Sequence, residues 1–468
     1  MSDLLVVDTV VIGSGYGGLI VAAILAREGQ RVLVVDNVAR LGGTCRSTFT
    51  GEVFTPFGSA GSRDTSDMFV LMSRKHRFGK AAAERAGVTL PWVGPIEPVM
   101  RVHVLATGEV GPLGGGLANY ATRVYGLDPE LVDDLKVWWR EILTLEPTEY
   151  LDVPLSTWLE QIPSPELRDA FTRLAHVFDT LALDVISTGR FAQSMQTPIE
   201  HYYFNDPDAP GMAAVPAAYE RAIVEHGGEV ALGREIYEIL TDDHGAVTGV
   251  ALQDDLSEVT TVECDAAVYA QLPHRLRHVL GRREPVGTFT RDAEILQQYV
   301  YDVGLLECVL TRLPTRRSDG EVEDYPGWCR ILRGLNRDYG GGWWFPSTLC
   351  PALAPTGKAV LEIGHSSGVD GVRPFLDLAE ARSRVESVFD YLREFYVDID
   401  DLVEHRSFFI HRPPNLDSWR FANAPRLPIV VPGFDGLFHV SSAANVTGVV
   451  QDIDANAAMQ VADLILAR

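Results

Sequence analysis

The stretch that decides the fold is Gly13-Ser14-Gly15-Tyr16-Gly17-Gly18. The residues before it, Asp8 to Ile12 with Val7, are β-branched and apolar, the composition of a buried strand. Leu19-Ile20-Val21-Ala22-Ala23-Ile24-Leu25-Ala26-Arg27 follows, an Ala- and Leu-rich helix that ends near Gly29. A second apolar run, Val32-Leu33-Val34-Val35, ends in Asp36. Strand, glycine turn, helix, strand and acid fall within the length of one βαβ unit. Gly13 allows the tight turn, Gly15 lets the backbone approach a diphosphate, and Gly18 lets the helix pack closely on the sheet. The helix N-terminus offers N–H groups and partial positive charge to phosphates. Asp36 stands 23 residues after Gly13, where a carboxylate accepts hydrogen bonds from a ribose diol. A glycine run alone is weak evidence; the register of strand, helix and acid makes this one a dinucleotide site.

Just beyond the acid comes Asn37, then Arg40-Leu41-Gly42-Gly43-Thr44-Cys45. A second glycine pair at this place resembles the flavoprotein superfamily of amine oxidases, phytoene desaturases, carotenoid isomerases and UDP-galactopyranose mutases. The resemblance implies FAD rather than NAD, since this further turn runs beside the flavin and its diphosphate. The cofactor-contacting positions it implies are Gly13, Gly15, Tyr16, Gly17, Gly18, Asp36, Asn37, Arg40, Gly42, Gly43 and Thr44.

The chain has 468 residues, more than one ordinary core holds, and 46% of them are hydrophobic. A formal charge of -24 disfavours nucleic acid and anionic membrane surfaces as partners. The apolar N-terminal run is short, lacks a basic start and belongs to the first strand, so no signal peptide is read. No apolar stretch reaches the ~20 residues of a bilayer span. Five scattered cysteines without a CxxC pair fit reduced thiols in a cytoplasmic protein.

From about Ser66 to Asn205 the pattern reads as mainly helical. Asp128-Pro129-Glu130 and Ser164-Pro165-Glu166 are helix starts, with Leu135, Trp138, Trp139 and Ile142 on the first stripe and Leu167 and Phe171 on the second. Helix is expected over 212–225, a strand over 227–232, a meander from Glu235 to Glu263 and a returning strand over 264–270. This block resembles the middle of phytoene desaturase-like proteins, where Ile236 would contact the adenine through its backbone. Pro351-Ala352-Leu353-Ala354-Pro355-Thr356-Gly357 and the strand after it resemble the same branch, and an amphipathic helix is expected over about 378–395.

The tail reads as a strand ending at Val440, then Ser441-Ser442, then a helix carrying Val449, Ile453, Ala457, Val461 and Leu464 on one face. Asp452 and Asp454 fall in its first turns, where the dipole favours acids. The resemblance implies that this helix points at the flavin, with Ser442, Gly448 and Val449 near the cofactor. The superfamily usually has Gly-Asp where this chain has Ser441-Ser442, and that Asp binds the ribityl chain. Serine can hydrogen-bond a hydroxyl but brings no charge.

The expected fold is α/β: a Rossmann-like FAD-binding domain with a parallel sheet and β-meander (1–65, 206–285 and 425–468) and an inserted α+β substrate domain (66–205 and 286–424). The expected function is dehydrogenation or desaturation of an apolar or natural-product-like small molecule, with hydride transfer to flavin N5 and an unassigned electron acceptor. The alternatives are a flavin-containing isomerase or mutase without net redox change, and a non-catalytic protein that has lost flavin. No metal spacing, nucleophile elbow or Walker loop is present. His201, Tyr203, His365 and His439 are the candidate acid–base groups, and Trp343 and Trp344 the candidate walls of a substrate cavity. Oligomeric state is not legible.

Overall fold

A computed structural model describes residues 5–43, 48–50, 53–55, 77–90, 92–96, 100–104, 109–112, 121–122, 127–178, 181–196, 201–204, 213–254, 256–299, 301–333, 338–370, 373–411, 419–448 and 451–468. β1 (Leu5–Val6) and β2 (Thr9–Ile12) lead through the glycine turn into α1 (Tyr16–Arg27) and β3 (Val32–Asp36). Next come β4 (Thr48–Thr50), β5 (Val53–Thr55), α2 (Arg77–Ala86), β6 (Trp92–Ile96), β7 (Met100–Val104) and β8 (Glu109–Pro112). The helices α3 (Val132–Thr144), α4 (Leu155–Leu159), α5 (Pro165–Phe178) and α6 (Thr188–Gln196) precede β9 (His201–Phe204). α7 (Ala214–Glu225) feeds β10 (Glu229–Leu232), β11 (Glu235–Thr241), β12 (Val247–Gln253), β13 (Val259–Glu263) and β14 (Ala266–Tyr269). After α8 (Phe289–Ile295) come β15 (Val303–Leu310), β16 (Trp328–Arg333), β17 (Asp338–Trp344) and β18 (Ala359–Ser366). α9 (Leu378–Phe395), α10 (Ile399–Leu402), β19 (Val403–His411), β20 (Leu437–His439) and α11 (Gln451–Leu466) complete the described elements.

The central sheet is parallel, in the order β10-β3-β2-β14-β20. Its three inner strands, β2, β3 and β14, are buried along their whole length, as a parallel sheet covered on both faces requires. β14 pairs with β2 on one side and β20 on the other, so the start and end of the chain share one sheet. α1 is buried from Tyr16 to Ala26 and packs against α7 and α11; its Gly and Ala residues allow that crowding. The meander β11-β12-β13 is antiparallel and β1 adds to β13 in parallel.

The third layer is a seven-stranded sheet in the order β19-β15-β18-β17-β16-β7-β8. α9 covers one face, with Val385, Val388, Phe389 and Leu392 buried on Leu306, Cys308, Leu361, Ile363 and Trp343. Asp377 caps α9 by accepting from the Glu380 N–H at 2.8 Å.

Three expectations gain detail. The described residues of 66–205 are helical more than extended, but β6, β7, β8 and β9 also lie among them. Met100, Val102 and Val104 alternate with Arg101 and His103, a period of two that marks a strand. At Asp128 the chain first makes a 3-10 turn, Pro129–Leu131, with Asp128 Oδ1 accepting from the Glu130 N–H at 2.9 Å, before α3 begins. On α11, Leu464 is 39% exposed and Ile465 is buried instead, because the buried face continues at the four-residue spacing of Ile453, Ala457 and Val461, which reaches 465 and not 464. Cys264, Cys308, Cys329 and Cys350 are buried and form no disulfide among the described residues; Cys45 lies outside them.

His103 projects from β7 into the aromatic layer under α9, with ring centroids 4.7 Å from Trp343 and 4.2 Å from Phe395. Burial, helped by the Arg101 cation, lowers its pKa from 6.5 to about 3. The folded protein therefore binds fewer protons here than the unfolded chain. Stability is complete above pH 6.5 and lost as pH falls from there toward about 3. His103→Phe keeps an aromatic ring and should flatten part of this acid limb. Melting temperature against pH checks it; an unchanged acid limb would refute the assignment.

Candidate functional site

The turn after β2 is built by the absence of side chains. Gly13 has φ +112°, and a Cβ there would stand 2.6 Å from the Ala270 carbonyl oxygen. A Cβ on Gly18 would meet the Gly13 oxygen at 2.2 Å, and one on Gly17 would meet Val440 Cγ1 at 2.5 Å. A Cβ on Gly15 would meet nothing within 4 Å. Gly15 therefore borders open space while its neighbours are locked in contact.

Asp36 ends β3 beside this turn and is 7% exposed. Its Oδ2 accepts from the Ser14 N–H at 2.7 Å and from the Ser14 hydroxyl at 2.6 Å, and its Oδ1 accepts from the Val38 N–H at 3.2 Å. The second glycine pair closes on the first turn: the Gly42 N–H donates to the Ser14 carbonyl at 2.9 Å, and a Cβ on Gly43 would lie 3.0 Å from Gly15 Cα.

These turns border a cleft of about 290 Å³ at the carboxyl ends of the parallel strands. Gly13, Gly15, Tyr16, Gly17, Gly18, Asp36, Asn37 and Gly43 line it from the first βαβ unit. Ala270, Gln271, Leu272 and Arg275 line it from the segment after β14, and Val440, Ser441, Ser442 and Asp454 from the tail. A second lobe of about 310 Å³ holds Ile236, Glu235, Tyr269, His274 and His278, and shares Asn37, Gln271 and Arg275 with the first. Each lobe is near the lower size of small-molecule sites, and together they make an elongated one.

Gln271, Arg275 and Asp454 were not singled out as site residues from the sequence. Gln271 and Arg275 follow a strand that enters the parallel sheet, and ligands gather at such carboxyl ends. Asp454 comes from the first turn of α11, where its Oδ2 accepts from the Ser442 hydroxyl at 3.0 Å. The pair of serines thus has a carboxylate beside it, supplied from twelve residues further along the chain.

The other tail residues have structural partners. His439 is fully buried in β20; burial lowers its pKa to about 4, so its ring is neutral at pH 7. Its Nε2 lies 2.9 Å from Ser441 Oγ, which also accepts from the Ala443 N–H at 3.1 Å. His439 does not line the cleft itself but orients a residue that does. Asp452, 2% exposed, accepts from the Gly79 N–H at 2.8 Å and ties α2 to α11. Gly448 is pressed on the start of α11, where a Cβ would meet the Ile453 nitrogen at 2.6 Å.

The remaining sequence candidates fall elsewhere. Trp343 lies on the α9 side of its sheet, its Nε1–H donating to the Tyr396 hydroxyl at 3.3 Å; strand alternation puts Trp344 on the opposite face. Trp343 thus packs in the aromatic layer under α9. His365 shares the α9 side with Leu361 and Ile363, and its Nδ1 lies 3.0 Å from the Ser366 oxygen. This places it away from the cleft. His201 and Tyr203 lie in β9, paired with Ile96 and Val93 of β6. Arg40 is exposed and outside the cleft lining. Thr44 and Val449 lie outside the described residues. Among the described residues no group of His, Cys, Asp or Glu has the arrangement of a metal site. No described helix is long and apolar enough to cross a membrane.

Comparison with known proteins agrees with this geometry. Residues 11–68 match the NAD(P)-binding Rossmann-like domain family. The chain is 58% identical to human all-trans-retinol 13,14-reductase over 40 residues, which is 8% of this chain and 7% of that protein. An oxidoreductase from Methanosarcina mazei superposes with a TM-score of 0.67 at 16% identity, covering 97% of this chain and 100% of that one. Cyclohexylamine oxidase from Brevibacterium oxydans superposes with a TM-score of 0.59 at 17% identity, covering 99% and 100%. At these identities the two structures establish a common fold, the mixed α/β architecture that the sequence resemblance implied.

The crowding at Gly18 makes a direct prediction. Gly18→Ala must displace the Gly13 carbonyl, a backbone atom, so it should destabilise the protein by about 1–3 kcal/mol. A thermal melt equal to wild type would refute the contact.

Proposed function

We propose that the protein is an FAD-dependent oxidoreductase that dehydrogenates or desaturates an apolar small molecule. The carrying observation is the open space at Gly15, set midway along a cleft that continues from Ile236 to Ser442. In this reading 1–65, 206–285 and 425–468 bind the cofactor, and 66–205 with 286–424 bind the substrate.

The residues present suit the extended shape of FAD. Asp36 would accept the ribose diol, and the lobe around Ile236 would take the adenine. The turn at Gly13–Gly18 and the N–H groups of α1 would face the diphosphate, with the Arg275 cation nearby. Ser442 and Asp454 would accept hydroxyls of the ribityl chain. A carboxylate repels phosphate, so Asp454 suits the polyol rather than the diphosphate. The bound flavin would supply two-electron redox chemistry at N5. The chain itself orients it, and His439 holds the Ser441 side chain in place. The relative matched over 40 residues is named a reductase, all-trans-retinol 13,14-reductase, which supports oxidoreductase chemistry.

Purified protein should be yellow and release FAD, identified by mass. Gly15→Val should stay folded, since a Cβ there meets no protein atom within 4 Å, yet carry no flavin. Full flavin content in that variant would sink the assignment. Asp454→Ala should weaken FAD binding by roughly tenfold, the value of about 1.5 kcal/mol for a hydrogen bond to a charged group. Titration of the flavin-free protein with FAD reads this directly.

A further inference from the structure

Ser14 stands between Gly13 and Gly15 in the turn after β2, and it is fully buried. Its N–H and its hydroxyl both donate to Asp36 Oδ2, at 2.7 Å and 2.6 Å. Its carbonyl accepts from the Gly42 N–H at 2.9 Å. One residue therefore fixes the acid at the end of β3 and ties the second glycine turn to the first.

Asp36 keeps little accepting capacity for a ligand. A carboxylate offers about four acceptor sites, two on each oxygen. The two Ser14 donors fill Oδ2. The Val38 N–H, at 3.2 Å, takes one site on Oδ1. Among the described residues no other donor reaches the carboxylate. A single site is left, on Oδ1, and Asp36 lines the cleft. A ribose diol brings two hydroxyl donors, so the carboxylate accepts one of them and not both.

Asn37 is placed to take the other. It follows Asp36 directly, is exposed, and lines both lobes. Among the described residues its side-chain amide has no hydrogen-bond partner. A carboxamide both donates and accepts, as a hydroxyl does, so the two can pair in either sense. The two bonds differ in strength. A hydrogen bond to a charged group is worth roughly ten- to a hundredfold in affinity, and one between neutral groups roughly two- to tenfold.

We propose that Ser14 is a positioning residue that commits Asp36 to a single ribose hydroxyl, and that Asn37 binds the second. The diol of the bound nucleotide is read by two side chains of unequal strength. This rests on the dinucleotide part of the FAD reading and does not depend on the flavin half.

ADP, the part that FAD and NAD share, is the probe, together with its forms lacking the 2′- or the 3′-hydroxyl. Isothermal titration calorimetry of each into the flavin-free protein gives three dissociation constants. In wild type one deoxy form should bind roughly ten- to a hundredfold more weakly than ADP, and the other only about two- to tenfold more weakly. Equal losses would overturn the proposal, because a carboxylate holding both hydroxyls gives that result. Ser14→Ala frees a site on Oδ2, so the two losses should converge. A purely structural role for Ser14 would weaken all three ligands alike and leave their ratios unchanged, and that outcome overturns the positioning role. Asn37→Ala, at an exposed position, should abolish the smaller loss alone. A smaller loss retained in that variant overturns the assignment of Asn37. The wild-type comparison and Asn37→Ala decide the matter even where Ser14→Ala does not fold. ADP bound with unequal losses but no uptake of FAD would overturn the flavin reading and support this one. FAD uptake with equal losses, or with no ADP binding, would overturn the present proposal alone. Uptake of neither ligand would overturn both.

Discussion

The rest of the structure depends on one steric fact: no room exists for a side chain where α1 leaves β2. A Cβ at Gly18 would stand 2.2 Å from the Gly13 oxygen and 3.0 Å from Ala270 Cβ. This contact pulls α1 down onto β2 and β14 and brings its N-terminus to the carboxyl edge of the sheet. β20 enters beside β14, and Val440 closes on Gly17. Segments from the start, middle and end of the chain thus converge on a single cleft. Gly15, alone among the four glycines of the turn, is left facing open space.

The charges around that cleft are divided. Asp36 stands at one end and Asp454 at the other, with the Arg275 cation shared between the two lobes. The arrangement suits a long ligand with hydroxyls at both acids and phosphates between them. Ser442 contributes no charge, but its hydroxyl is bonded to one that does. Under the proposed FAD reading, Asp454 from the adjoining helix would stand in for the Asp of the usual Gly-Asp.

Much of this was legible in the sequence, because it rests on local rules. The βαβ unit, the meander and the helix over 378–395 follow from hydrophobic period and from glycine and cap positions within a few residues. The strands β6 to β9 escaped the same reading because they are short, and β6, β7 and β9 have partners distant in sequence. Residue type alone also misjudged the aromatic and histidine candidates. Trp343 and His365 have the chemistry of site residues, yet strand alternation turns both toward α9.

The sequence by itself determined that a dinucleotide turn exists and which glycines make it, since backbone conformation and close approach restrict those positions to residues without side chains. Only the tertiary structure decided that Asp454 meets Ser442, that Arg275 reaches both lobes and that both Ser14 donors meet one oxygen of Asp36. Those encounters depend on strand register and on which face of each element is buried. A shift of one residue would send each strand's side chains to the opposite side.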